Sequence, residues 1–542
     1  MSHKGETSMN TPITSAFNRR GFFKVAGSAS AALAFAAGVS ACGNNNSSSG
    51  STAEAGADAV NKDGVINAGI AYDVSTSFDP AVASGAGPMA ANLHIFEGLT
   101  GLDPATRERY NALAASDPEM VDDTTYRVVL RDGAKFHDGS PVTANDVVST
   151  FNRFSAPESL FAQFLYFLDS TTAVDEKTVE FKLNQAFPLF ADRISLVQIT
   201  PASAADNLEA FGANPIGSGP YKFVSATKGA EIKFERFEDY NGPRPALAKT
   251  MNWSILADAA ARVTAMQSKR VQAIESVPYD NVKVLENSGV NVESVQSFGL
   301  LFLMFNCEKA PFDKKEVRQA LFYGIDMDKV ITNALLGNAT AATSFLHKEH
   351  KDYVEASTVY TYDKAKAQQL LKDAGAEGIS FTIHTTDHDW VKQCSQLVQE
   401  SLKDLGLNVT ISDQASAALY SDFVDSGNYD VVLAPGDPSV FGNDADLLLS
   451  WWYRGTTWPE KRFRWSNTDE YKQVQELMNS AVMAEDPKED WKKAIDIIAE
   501  NAPLYPLFHR KLPTAWDGST LNGFKPLPTT GLSFQNVGST QA

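Results

Sequence analysis

The feature that most constrains this chain is the apolar run from Val25 to Ala41, which follows Arg19, Arg20 and Lys24 and stops at Cys42. It has seventeen residues and is diluted by Gly27, Ser28, Ser30, Gly38 and Ser40, so it falls short of the ~20 strongly apolar residues of a spanning helix. It reads as an export segment, residues 1–41, and not as a membrane span. Residues 43–59, rich in Asn, Ser, Gly and Ala, hold too little apolar surface to fold and read as a flexible tether within 42–62. What remains must fold as a water-soluble body outside the cytoplasmic membrane.

Arg19-Arg20 followed by Phe22, Phe23 and Lys24 resembles the twin-arginine export motif, with Asn18 and Phe23 departing from its usual residues. Val39-Ser40-Ala41-Cys42 resembles a bacterial lipobox. That resemblance implies cleavage before Cys42, which as the new amino terminus carries acyl chains, each buried acyl CH₂ adding ~0.8 kcal/mol of membrane affinity. The expected location is the outer face of the cytoplasmic membrane, with the lipid as the only membrane contact.

About 480 residues follow the tether, enough for two or three domains. The formal charge is −19 and becomes −22 without residues 1–41, which carry Lys4, Arg19, Arg20 and Lys24 against Glu6. So acidic a body argues against nucleic acid as a partner. Once Cys42 is acylated only Cys307 and Cys394 remain, too few for a disulfide scaffold. Cys394 falls on the apolar face formed by Val391, Leu397, Val398, Leu402 and Leu405 and is expected to be a packed thiol.

Strand patterns and helix patterns alternate. Residues 65–71, 125–130, 178–183, 231–235, 381–385 and 407–411 read as strands. Thr143 and Asp146 form a capping box, Asp486-Pro487 opens another helix, and Gly375 and Gly406 close helices where strands resume. The class is α/β with several lobes.

Between Thr125 and Phe151 the chain reads as a strand, two Asp-Gly turns (Asp132-Gly133 and Asp138-Gly139) and a capped helix. This stretch resembles the family 5 solute-binding proteins of bacterial ABC importers, the peptide- and nickel-binding group. So do Pro215 to Lys222, Pro311-Phe312-Asp313 with Val317 to Asp326, Tyr362-Asp363 leading to Gly375, and Ala502 to Pro506, in that order. The resemblance implies a large, type II, two-lobed periplasmic-binding-protein-like clamshell. One lobe would hold residues 63–300 with an inserted subdomain near 98–199, completed by 505–542; the other would hold 301–504. It also implies capture of a dipeptide or oligopeptide by lobe closure, delivery to permease subunits, no cofactor and a monomer. An oligosaccharide or other organic solute is the alternative, with a nickel or other metal complex and a non-transport sensor behind it.

An enzyme is the rival class. The chain after residue 41 carries no G-x-x-x-x-G-K-[ST], no G-x-G-x-x-G and no C-x-x-C, and Ile216-Gly217-Ser218-Gly219 lacks the spacing of a nucleophile elbow. His347 with His350 and His384 with His388 are the metal-like pairs, at i, i+3 and i, i+4; His347-Lys-Glu-His350 is not His-Glu-x-x-His, and His384 falls in an expected strand, so the pairs need not share a face.

Carried over motif by motif, the ligand cleft includes Ser84, Gly85 and Ala86, the strand end Thr385, Thr386 and Asp387, the wall residue Phe298, and Asp437 before Pro438. Peptide-binding relatives place a tryptophan and an aspartate upstream of such an acidic-Pro pair; the segment Tyr429 to Pro438 has neither. Asp437 is left to hold a ligand's ammonium group, with Asp444 and Asp446 as substitutes. Trp451, Trp452, Trp458 and Trp465 follow within fifteen residues. They read either as packing or, at Trp451 and Trp452, as a stacking platform for ligand rings.

Overall fold

The computed structural model describes residues 60–541 apart from 75, 76, 84, 158 and 160. The export segment, Cys42, most of the tether and Ser84 therefore lie outside the described residues. None of the described helices is long and apolar enough to cross a membrane.

One eleven-stranded sheet organises the body. Its order runs Asn408–Gln414, Ser380–Thr386, Val431–Gly436, Asn291–Phe305, Leu504–Trp516, Ala273–Ile274, Val65–Ile70, Thr250–Ile255, Glu231–Arg236 and Tyr221–Thr227, with Ala339–Ala341 added beside Leu504–Trp516. Ser380–Thr386 is parallel to both its neighbours, and so is Val65–Ile70. Parallel strands need helices on both faces, which is why Val431 to Ala434 is an unbroken buried apolar run. The α/β class holds, and the six strand expectations are met to within a few residues at their ends.

Two long strands, Asn291–Phe305 and Leu504–Trp516, carry the chain across the middle of the sheet. Their antiparallel register breaks between Gln296 and Leu300 and again between Leu301 and Phe302. On one side of the break Asn291 to Gln296 pairs with Leu504–Trp516, whose Ala515 and Trp516 pair in turn with Ile274 and Ala273 and lead to the strands of residues 65–274; on the other, Leu300 to Phe305 also pairs with Val431–Gly436. Two half-sheets thus hang on one interrupted ribbon, the geometry of a two-lobed clamshell with a hinge.

Within residues 119–183 lies a separate four-stranded sheet, Glu119–Asp122, Thr125–Val129, Thr178–Leu183 and Leu168–Ala173 in order along it, packed against the helix Ala144–Phe154. Asp146 accepts from the Thr143 backbone N–H at 2.8 Å, as the capping box requires. Asp326 caps Met327–Ala334 through the Lys329 N–H. Gly217 lies so close to the Ile95 carbonyl that a Cβ would sit 2.0 Å from it. The family-like residues here serve turns, caps and close packing. The helix expected to begin at Pro487 begins at Lys488, with Pro487 in the capping position.

Candidate functional site

The interruption in the ribbon is the floor of the site. Ser297, Phe298 and Gly299 bulge out of register, and the bulge is held by its own serine: Ser297 Oγ donates to the Arg510 carbonyl at 2.8 Å and accepts from the Gly299 N–H at 3.0 Å. Phe298 turns inward, 2% exposed, against Trp452, His509 and Phe345. Beside it a cavity of about 150 Å³ is lined by Gln296, Thr340, Thr343, His347 and His509 among others.

Groups from both halves meet above this floor. From the first half come Tyr72 and the start of the helix Ala86–Ile95, where Gly85 is the cap and Gly87 sits against the Tyr72 and Asp73 carbonyls. From the second comes the end of Ser380–Thr386: Thr385 and Thr386 are buried and Asp387 is exposed. The Thr385 hydroxyl has no hydrogen-bond partner among the described residues. His388 faces Tyr72 with ring centres 6.3 Å apart. Tyr72, beside Gly87, and His388, bonded to the Thr386 hydroxyl at 3.0 Å, thus bring the start of Ala86–Ile95 and the end of Ser380–Thr386 toward each other.

Asp437 has its oxygens occupied. Oδ1 accepts from the Ser439 N–H at 3.2 Å and the Ser439 hydroxyl at 2.5 Å. Oδ2 accepts from the Thr529 hydroxyl and from the Thr530 N–H and hydroxyl, each at 3.3 Å. Since Gly531 and Phe534 are tied to Glu275 and His94 of the first half, Asp437 bridges the halves. Arg107 crosses nearby to the Ser439 carbonyl. Burial pulls its guanidinium down to about 10 despite the attraction of Asp437 and Asp103.

Two expectations need correction. Asp444 and Asp446 are not spare carboxylates: Arg193 donates to both, at 2.7 and 2.9 Å, and Asp446 also accepts from Arg454. The stacking-platform reading fails for Trp452, whose ring is fully buried among Phe298, Phe302, Phe345 and Trp458. Trp451 is half-buried and stacks on Phe164 at 6.0 Å, and Trp458 and Trp465 are buried. Among the described residues no group of three or more His, Cys, Asp or Glu is placed to hold a metal ion. His384 packs on Phe423 and His350 bonds to the Asn443 carbonyl.

Sequence reasoning missed Tyr72, Tyr279, Trp390 and Arg510. The signal for the last was available: an arginine inside Leu504 to Ala515, a strand whose other residues are nearly all buried.

A mixed α/β chain whose two half-sheets share an interrupted ribbon, with polar groups from both halves gathered over the break, defines a ligand-closing binding protein. A profile of the bacterial extracellular solute-binding proteins, family 5 (Middle), matches residues 108–460, and the chain belongs to that family. It is 29% identical over 477 residues to the glutathione-binding protein GsiB of Escherichia coli O1:K1 / APEC, covering 85% of this chain and 92% of that one. The solved structure of AgaA with agropinic acid, from A. tumefaciens R10, superposes with a TM-score of 0.77 at 26% identity over 88% of this chain and 99% of the other. DppA of Helicobacter pylori with the peptide STSA superposes with a TM-score of 0.78 at 23% identity, over 88% and 98%.

Proposed function

We propose that this protein is the capturing component of an ABC importer and takes a short peptide between its lobes, handing it to the permease. The observation that carries the reading is the family match combined with a relative named for glutathione, a tripeptide, that aligns over nearly its whole length. Asp437 is the proposed partner of the ligand's ammonium group. Its three contacts through Oδ2 are each 3.3 Å long, weak enough for a charged donor at ordinary length to displace them. Acylated Cys42 is the proposed anchor, and the paired arginines the proposed export address.

A ligand that binds only the folded protein stabilises it by RT ln(1 + [L]/Kd), about 2.7 kcal/mol at a hundredfold excess. Thermal shift with glutathione, di- to tetrapeptides, sugars and metal–histidine complexes should single out peptides, and X-ray scattering should show compaction with the same ligand. Stabilisation by sugars or metal complexes alone would overturn the peptide reading. Asp437→Ala should weaken a free-amine peptide about ten- to a hundredfold and hardly affect its acetylated form. Equal binding of both forms by the unmutated protein removes the Asp437 assignment. Cys42→Ser should release folded protein from membranes; retention after a salt wash would exclude the lipid anchor.

A further inference from the structure

We infer that Arg510 is a carboxylate anchor for the ligand, kept without an anionic partner at the hinge until a solute supplies one. The inference rests on the reading that a solute binds between the lobes and adds the chemistry of its anionic end.

Five arginines are buried among the described residues: Arg193, Arg262, Arg318, Arg454 and Arg510. Arg193 and Arg454 hold aspartates. Arg262 and Arg318 each donate to three backbone carbonyls. Among the described residues Arg510 has neither kind of partner. A buried charge without a counter-charge is costly and persists where something outside the fold selects for it. The two carboxylates that feel its charge, Glu275 and Asp437, are engaged elsewhere. Glu275 accepts from the Ala71 and Gly531 N–H groups, both at 3.0 Å. Asp437 is held by Ser439, Thr529 and Thr530.

The geometry keeps the guanidinium presentable. Its carbon lies 4.5 Å from the centre of the Trp390 ring, and a guanidinium stacked on an aromatic face leaves its N–H edge free in the plane for a bidentate carboxylate. Arg510 has no opposing residue on Asn291–Phe305, because pairing jumps from Gln296 with Lys511 to Leu300 with His509. The residue facing it across the bulge is Gly299, whose missing Cβ would stand 3.6 Å from Arg510 Nε. The Tyr279 hydroxyl donates to the Lys511 carbonyl at 3.1 Å and accepts from the Arg510 guanidinium, a neutral partner that steadies the group without neutralising its charge. Trp390 belongs to the second half and Tyr72 and Tyr279 to the first, so a carboxylate here would touch both and favour closure.

Calorimetry with glutathione and a tripeptide, each as the free acid and as the carboxyl-terminal amide, tests the anchor without any mutation. The acid should bind about ten- to a hundredfold more tightly. Arg510→Gln should lose that preference, and Arg510→Lys, which keeps the charge but not the fork, should recover only part of it. Native mass spectrometry of gently purified protein should find a carboxylated small molecule on the unmutated chain and not on Arg510→Gln. The melting temperature of the ligand-free Arg510→Gln protein should be equal or higher, because an unpaired buried charge has been removed. A clear fall, equal binding of acid and amide, or unchanged ligand retention by Arg510→Gln would overturn the anchor. If the retained carboxylate is not a peptide, the peptide reading fails while the anchor stands. If neither probe binds and nothing is retained, the melting temperature decides.

Discussion

Arg193 and Asp446 face each other at 2.9 Å with neither side chain reachable by solvent, although 253 residues separate them in sequence. The pair joins the segment 98–199 to the helix Ala445–Tyr453, and Arg454 takes the other Asp446 oxygen at 2.9 Å. Burial opposes the Asp446 charge, but Arg454 and Arg193 outweigh it and hold the carboxyl below its usual range. Removing one member of such a network strands the others. Asp446→Ala should therefore cost about 3–5 kcal/mol in urea unfolding at neutral pH. The double variant Arg193→Met with Asp446→Leu should cost less than the two single changes added together.

Acid should weaken the fold before carboxylates titrate. His94 donates from Nδ1 to the Ala90 carbonyl and accepts at Nε2 from the Phe534 N–H, so it is held neutral. Burial lowers it to about 4, and does the same to His137 and His347. In the unfolded chain these rings take up a proton near pH 6.5, which the folded protein refuses until about pH 4. Their stabilisation is full above pH 6.5 and is lost as pH falls toward 4, about 3 kcal/mol for His94 alone on this arithmetic. Melting temperature against pH should fall through this window, and His94→Gln should flatten part of the slope.

Trp452 packs rather than binds. Trp452→Ala should destabilise by about 3–5 kcal/mol, as other buried aromatic truncations do. Ligand affinity measured on the protein that remains folded should change little. A tenfold loss of affinity without loss of stability would restore the stacking role.

Cys307 and Cys394 are both free thiols. Burial raises them to about 11 and about 12, so almost no thiolate is present at neutral pH. A chromogenic disulfide reagent should leave both unreacted in the native protein and titrate both in concentrated guanidinium chloride. Reductant should not shift the melting temperature.

Local chemistry was legible in the sequence. The capping box at Thr143 and Asp146, the turn at Asp138-Gly139 and the strand Thr178–Leu183 depend on neighbours a few residues apart, and they appear where the pattern puts them. Together with the family-like motifs they determined the α/β class and the clamshell. What the sequence could not rank was carboxylates and rings of equal appearance. Asp437, Asp444 and Asp446 lie within ten residues of one another, yet two are consumed by Arg193, more than 250 positions away, and the third by Thr529 and Thr530. Trp451 and Trp452 are adjacent, but successive residues on a helix point in different directions, so one ring is sealed and the other half-open. Tertiary structure alone decided which charges were already paired, because pairing is a property of distance in space: among the described residues it joins Arg193 and Arg454 to aspartates and gives buried Arg510 no salt bridge.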